Sequence, residues 1–329
     1  MSAIAISGVR AREGGVLRAF ASQEALLAFA IIGVAAFVGL DNPRFLATRN
    51  LADIVLGNAY ISVAAIGMSM VIVSGNIDIS VGSLIGVLAT ISGSLAVAGA
   101  PIAVVWLAPL VAGVLVMMLQ GAVVAYLRIP AIVVTLGMLS ILKGGLISVT
   151  GGRWITDLPE SFHLADIELF GFLPMPVLIM AAGTALAALW MHYSASGRAI
   201  YATGGNAEAA RLCGVSPQRT VLMVFALHGF FAGVAALLFA TQLKVIQSTV
   251  PPNLELTVIT AAVVGGVSIL GGVGTVIGAT LAAVLIAEIA SALVFINVSP
   301  YWIHAVQGVL ILATVVADIL RRRRRLAGG

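Results

Sequence analysis

SASGRAIYATGGNAEAARLCGVSPQRT, running from Ser194 to Thr220, is the longest polar stretch in a chain whose flanks stay apolar for whole helix lengths. It holds Arg198, Arg211 and Arg219, and its interior reads as a short helix. Asn206 suits the N-cap, because its side-chain oxygen accepts one of the amides that a helix start leaves unpaired. Glu208 falls in the first turn, where the helix dipole favours negative charge, and Arg211 falls near the end, where it favours positive charge. Gly214 stands at the left-handed stop. Between these signals Ala207, Ala209, Ala210 and Leu212 leave a small apolar face. A helix of about two turns is not stable alone in water. The expectation is therefore a docking element seated in a groove of another protein, with Arg198 and Arg211 at its polar rim. An ordinary amphipathic surface loop is the plain alternative.

The composition decides what surrounds this stretch. Hydrophobic residues make up 61% of the 329 residues and charged residues 9%, against roughly 25% charged in a soluble domain. Apolar runs of about 20 residues recur, which is the length that crosses a bilayer as a helix. The expected fold is all-α: a polytopic membrane protein of about ten transmembrane helices, some broken or re-entrant. The net charge of +4 comes from arginines in termini and loops, a distribution that fits the positive-inside rule and not a nucleic-acid surface. The single Cys213 excludes an internal disulfide framework.

Taken in order, apolar segments fall at about Glu24–Leu40, Leu51–Ser74, Val81–Ala98, Ile102–Tyr126 and from Pro130 to Val149. After a polar segment, GGRWITDLPESFHLADIELFGF (Gly151–Phe172), they continue at about Leu173–His192, Val221–Leu243, Leu256–Leu270, Thr275–Ile296 and Tyr301–Leu320. Residues 1–22 and 321–329 are expected to be cytoplasmic tails, the second carrying five consecutive arginines, with 23–320 as the transmembrane domain and 194–220 as its cytoplasmic loop. Termini and the Ser194 loop on one side require an even number of spans. Arg44 and Arg49 then fall outside, a mild conflict, and eight spans with two re-entrant pieces stays open.

An internal echo runs through this layout. GNIDISVGSLIG (Gly75–Gly86) is matched by GGVSI at Gly265–Ile269, resuming as GTVIG at Gly274–Gly278. Each copy joins two apolar segments on the expected cytoplasmic side, as in a same-sense repeat with discontinuous helices.

The chain contains no phosphate-binding loop, no metal-ligating His/Cys spacing and no nucleophile elbow. Neither enzymatic chemistry nor a bound cofactor is expected of it. Ionisable groups inside a membrane are costly, which makes Asp78, Lys143 and Glu288 candidates. Asp78 reads either as a helix cap or as a group facing a cavity in the Gly75–Gly82 break. Lys143 reads either as half of an ion pair or as a snorkelling side chain. Asn58, Asn76, Ser80 and Ser268 complete the candidate lining of a translocation pathway. His228 reads as a core histidine.

Four motifs together carry a resemblance. ATGGNAEAARLCGV at Ala202–Val215, SGNIDISVGS at Ser74–Ser83, GGVSILGGVGTVIGA at Gly265–Ala279 and VSPYW at Val298–Trp302 resemble the ribose-type sugar permeases of ATP-binding-cassette importers, from about Asn42 to the last span. GGRWITDLP at Gly151–Pro159 is closer to the autoinducer-2 and rhamnose permeases. Asn76 and the pair Ala290-Ser291 depart from the family's usual Gly and Asn-Asn. The resemblance implies a permease dimer, homo- or heteromeric, in the bacterial inner membrane. It implies a tandem cytoplasmic ATPase that holds ATP and Mg, and a periplasmic sugar-binding protein. It places the family's coupling helix at Asn206–Cys213 and its central broken helix at Gly75–Gly82. A proton-driven secondary transporter using Asp78, Lys143 and Glu288 is the competing reading.

Overall fold

The computed structural model describes residues 23–164, 167–169, 173–247 and 252–327. The N-terminal tail expected over residues 1–22 lies outside them. The described residues form twelve α-helices and one minimal β-hairpin. In chain order the helices are α1 (Gln23–Asp41), α2 (Thr48–Val73), α3 (Val81–Val97), α4 (Ile102–Leu127), α5 (Ala131–Thr150) and α6 (Met175–Tyr193). There follow α7 (Ala195–Gly205), α8 (Ala207–Leu212), α9 (Pro217–Thr241), α10 (Leu254–Val264), α11 (Val276–Phe295) and α12 (Trp302–Ala327). The hairpin pairs β1 (Glu168–Leu169) with β2 (Leu173–Pro174).

Eight of these helices are long and apolar enough to cross a membrane, and α3 and α10 are shorter apolar helices. The expectation of about ten membrane helices with some re-entrant is met in this form. Helix α10 ends at Val264, short of the Leu270 expected, because Gly265-Gly266 turns the chain with Gly266 at φ 92°. Helix α12 does not end at Leu320 but runs on through the arginines.

The core is built round α2. From Ile61 to Val73 every residue is buried, and a helix apolar on all sides belongs inside a bundle. Helices α9, α11, α10 and α6 pack round it. Helix α9 in turn lies along α4, and glycine sets their separation. A Cβ at Gly113 would sit 2.5 Å from the Gly229 carbonyl oxygen, and a Cβ at Gly229 would overlap the Gly113 carbonyl. Small residues thus let two membrane helices touch backbone to backbone, gaining dispersion contacts where apolar burial supplies no drive. Outer faces stay apolar, as with Leu107, Val111, Leu115 and Leu119 on α4, a stripe that suits lipid.

The two echo segments are realised as two breaks of like geometry. Helix α2 ends at Val73, turns at Gly75 (φ 87°) and resumes as α3, and α10 ends at Val264, turns at Gly266 (φ 92°) and resumes as α11. Their packing is crosswise: α2 lies on α11, and the start of α3 meets the start of α10, where Gly82 faces Leu254 and Glu255.

Candidate functional site

The polar stretch at Ser194–Thr220 folds as three consecutive helix starts, each with its own cap. Ser194 Oγ accepts from the Gly197 amide at 2.8 Å and opens α7. Asn206 closes α7, its amide donating to the Ala202 carbonyl at 3.0 Å. Its side chain opens α8, accepting from the Ala209 amide at 3.0 Å. Gly214 stops α8 at φ 84°, and Ser216 with Pro217 starts α9. Caps satisfy amides that helix starts leave orphaned, so α8 exists although it is only six residues long. Sequence reading found α8 and missed α7, whose signal was the Ser194 cap three residues ahead of Gly197.

Helix α8 stands proud of the bundle. Ala210 is its one buried residue, while Glu208, Arg211 and Cys213 are exposed and Leu212 is 90% exposed. Arg198, expected at the rim, is exposed and donates to the Tyr193 carbonyl at 2.9 Å across the α6–α7 corner. A cleft of about 590 Å³ opens beside the segment, walled by Asn76, Arg128, Pro130, Asn206 and Gln218. Tyr201 of α7 donates its hydroxyl to the Gly274 carbonyl at 2.9 Å, and burial pushes its phenol above the ordinary value, keeping it a donor.

The pathway candidates separate into three groups. Asp78 and Ser80 meet in the first break: Asp78 Oδ1 accepts from the Ser80 amide at 2.7 Å and from its hydroxyl at 2.6 Å. Asp78 Oδ2 lies 3.0 Å from His228 Nε2, both side chains fully buried. Ser80 continues to Gln120 of α4 at 3.2 Å, and Thr135 of α5 donates to the Ile77 carbonyl at 3.4 Å. Irregular backbone at membrane depth survives only where protein satisfies it, and this network supplies the partners. Its depth follows from His228, the twelfth residue (228 − 217 + 1) of the 25-residue α9. Asp78 thus closes a local turn onto Ser80, the residue ahead of α3, and pairs across helices with His228. It is not at a span end.

Asn58 and Asn76 are held within their own segments and Ser268 by α12. Asn58 donates to the Ile54 carbonyl at 2.9 Å and Asn76 to the Ser74 hydroxyl at 3.0 Å, while Ser268 donates to Asp318 of α12 at 2.6 Å. Lys143 and Glu288 stand apart from the network. Lys143 is exposed on α5, and Glu288 is buried in α11, its Oε2 without a hydrogen-bond partner among the described residues. Thus Asp78, Lys143 and Glu288 do not form a chain. His228, which the sequence offered only as a core histidine, and Gln120, which it did not single out, prove to be the partners of the break.

A second cavity, of about 740 Å³, lies at the other end of α9, about 37 Å from its start for a 25-residue helix. Asp53, Asp157, Glu160, His163, Gln242 and Lys244 line it. His163 Nδ1 against the Thr241 carbonyl (3.2 Å) and Gln242 donating to the Leu56 carbonyl (2.8 Å) hold its wall together.

Comparison with known proteins agrees with this architecture. Residues 50–315 match the model of the family described as branched-chain amino acid transport system / permease component. The autoinducer 2 import system permease protein LsrC of Salmonella typhi is 35% identical over 301 residues, covering 90% of this chain and 86% of that protein. LsrC of Yersinia enterocolitica is 35% identical over 298 residues, covering 90% of this chain and 82% of that protein. No solved structure matches the chain. Membership implies a multi-pass inner-membrane subunit, ATP hydrolysis by a separate partner and a substrate-binding protein. With a helical bundle broken at two glycine turns, a protruding capped helix and a family match over most of its length, the chain belongs to the permease family of ATP-binding-cassette importers and is a transport subunit, not an enzyme.

Proposed function

We propose that this chain forms the membrane path for a small polyol, an autoinducer-2-like furanose or a deoxysugar such as rhamnose, and that α8 is where its ATPase docks. The observation that carries the docking reading is Leu212. An apolar side chain left 90% exposed at the tip of a capped helix, directly after Arg211, suits a groove on another protein better than water. The partner is a tandem cytoplasmic ATPase holding ATP and Mg; both chain termini then share its side of the membrane. The cavity at the far end of α9, with carboxylates, an amide and an ammonium convergent on it, suits hydroxyl-rich cargo released by a binding protein. The names of the LsrC relatives support the autoinducer-2 choice over the amino acids named in the family description.

A second permease copy or paralogue is expected against α5. Only Ala131, Thr135 and Leu146 of that helix are buried, and Gly137, Ser140 and Gly144 share the opposite, exposed face at helical spacing. Lys143 flanks that face in mid-helix, where a charge set in lipid costs about 3 kcal/mol. Cover by a partner or by a shared aqueous lumen removes that cost. The proton-driven reading is not favoured, since a relay needs neighbouring groups and Asp78, Lys143 and Glu288 are apart.

The docking test replaces Glu208 and Arg211 together in the reconstituted complex. Substrate-stimulated ATP hydrolysis and uptake should both collapse; survival of both unchanged would falsify the assignment. Uptake that follows a pH gradient and ignores ATP would instead favour the secondary transporter.

A further inference from the structure

Three stretches of backbone meet on the inner side of α7 with almost no side chain between them. Val73 ends α2, and its carbonyl accepts from the amide of Gly272 in the second break at 2.8 Å. The two breaks are therefore bonded directly to each other. Gly204, near the end of α7, is pressed against that same bond: a Cβ there would overlap the Val73 carbonyl oxygen and lie 2.8 Å from the Gly272 nitrogen. A Cβ at Gly271 would lie 2.7 Å from the Gly204 oxygen and 3.0 Å from the Gly75 Cα. Gly75 and Gly271 also adopt φ 87° and 79°, which L side chains reach only at a cost. Tyr201, one turn back on the same helix, bonds the Gly274 carbonyl.

We propose that this Gly75–Gly204–Gly271 junction is the joint through which movement of the coupling segment reaches both broken helices at once, with Gly204 as its positioning residue. The proposal rests on the reading of α8 as the ATPase dock. Helix α7 is continuous with α8 through the single residue Asn206, so a push on α8 is delivered at Gly204. A helix end wedged backbone-to-backbone against two segments transmits displacement, because packed interfaces resist compression and have no flexible side chain to absorb it. Both breaks then move together, Val73 and Gly272 being already bonded. The first break leads on to Asp78 and Ser80 at mid-membrane, and the second to α11.

The neighbouring residue supplies the control. Gly205 lies on the same helix, yet a Cβ there meets nothing within 4 Å. Gly204→Ala and Gly205→Ala thus make the same chemical change, one into the joint and one into open space. In the full complex in proteoliposomes, we expect Gly204→Ala to lower substrate moved per ATP hydrolysed by about tenfold, within the usual range of coupling between sites. The ATPase should still co-purify with that variant. Gly205→Ala should behave as wild type. Equal behaviour of the two variants overturns the joint, and so does wild-type transport per ATP in Gly204→Ala. Loss of ATPase binding in Gly204→Ala also overturns it, since the residue then serves docking.

Should Gly204→Ala fail to assemble, Tyr201→Phe decides. It removes one hydrogen bond and nothing else, and should cut transport per ATP by roughly threefold; an unchanged ratio in Tyr201→Phe overturns the proposal. Failure of the docking reading looks different. There the Glu208/Arg211 variant keeps its ATPase and its substrate-stimulated ATP hydrolysis, whatever the Gly204 and Gly205 variants do.

Discussion

His228 and Asp78 show what a single pair does in this protein. Both are fully buried, and His228 Nδ1 has no hydrogen-bond partner among the described residues, so Asp78 is the partner that fixes the ring. Gly67 makes room for it: a Cβ there would sit 2.6 Å from that Nδ1. Removing His228 leaves Asp78 Oδ2 buried without its donor, at a cost of about 1–3 kcal/mol. His228→Ala should therefore lower the thermal unfolding temperature of the detergent-purified protein sharply. His228→Gln, which keeps an N–H donor near Asp78 Oδ2, should lose less than half as much. Equal losses would mean that ring packing, not the bond to Asp78, is what matters. Asp78 was visible in the sequence as a costly charge beside a glycine break. Its partner was not, because 150 residues separate the two and nothing local marks His228.

At the scale of the element, α8 is the feature most fully written in its own residues. Its start depends on Asn206 Oδ1 and its stop on Gly214, both local. Asn206→Ala removes the cap, worth about 1 kcal/mol. In a six-residue helix anchored by Ala210 alone, that is enough to fray it. Amide hydrogen exchange over residues 207–212 should rise while exchange in α9 stays slow, and substrate-stimulated ATPase activity should fall with it. Unchanged exchange would show that α8 is held by contacts other than its cap. Helix α7 was harder to see. ASGRAIYATGG is rich in glycine, a poor helix former, and it is a helix because Ser194 caps it and because Gly197 and Gly204 fit against backbone where nothing larger would.

For the whole molecule, the pattern of exposure says which faces are unfinished. Helix α4 turns leucines and valines outward, as lipid requires. Helix α5 turns out Lys143 together with Gly137, Ser140 and Gly144, and no atom comes near either glycine. A cysteine at Gly144, in a chain whose own Cys213 has been changed to Ser, should cross-link the two permease subunits of the complex. A cysteine at Leu115 on the lipid face of α4 should not. Cross-linking through Leu115 and not through Gly144 would move the subunit interface away from α5.

The spans, the short helix at Asn206–Cys213 and the two like breaks are legible in the residues alone. Each of these rests on signals a few residues apart: hydrophobic run length, caps and glycine stops. Even so, span ends slipped where a glycine turn came early, as at Gly265-Gly266. That the breaks at Gly75 and Gly271 touch, that α7 is wedged against them and that Asp78 faces His228 emerges only from the folded chain. Those contacts join segments far apart in the chain, and glycine, with no side chain, leaves no chemical label of its partner. The stretch at Ser194–Thr220 declares that it is a helix in its own residues; what it presses on is settled by packing.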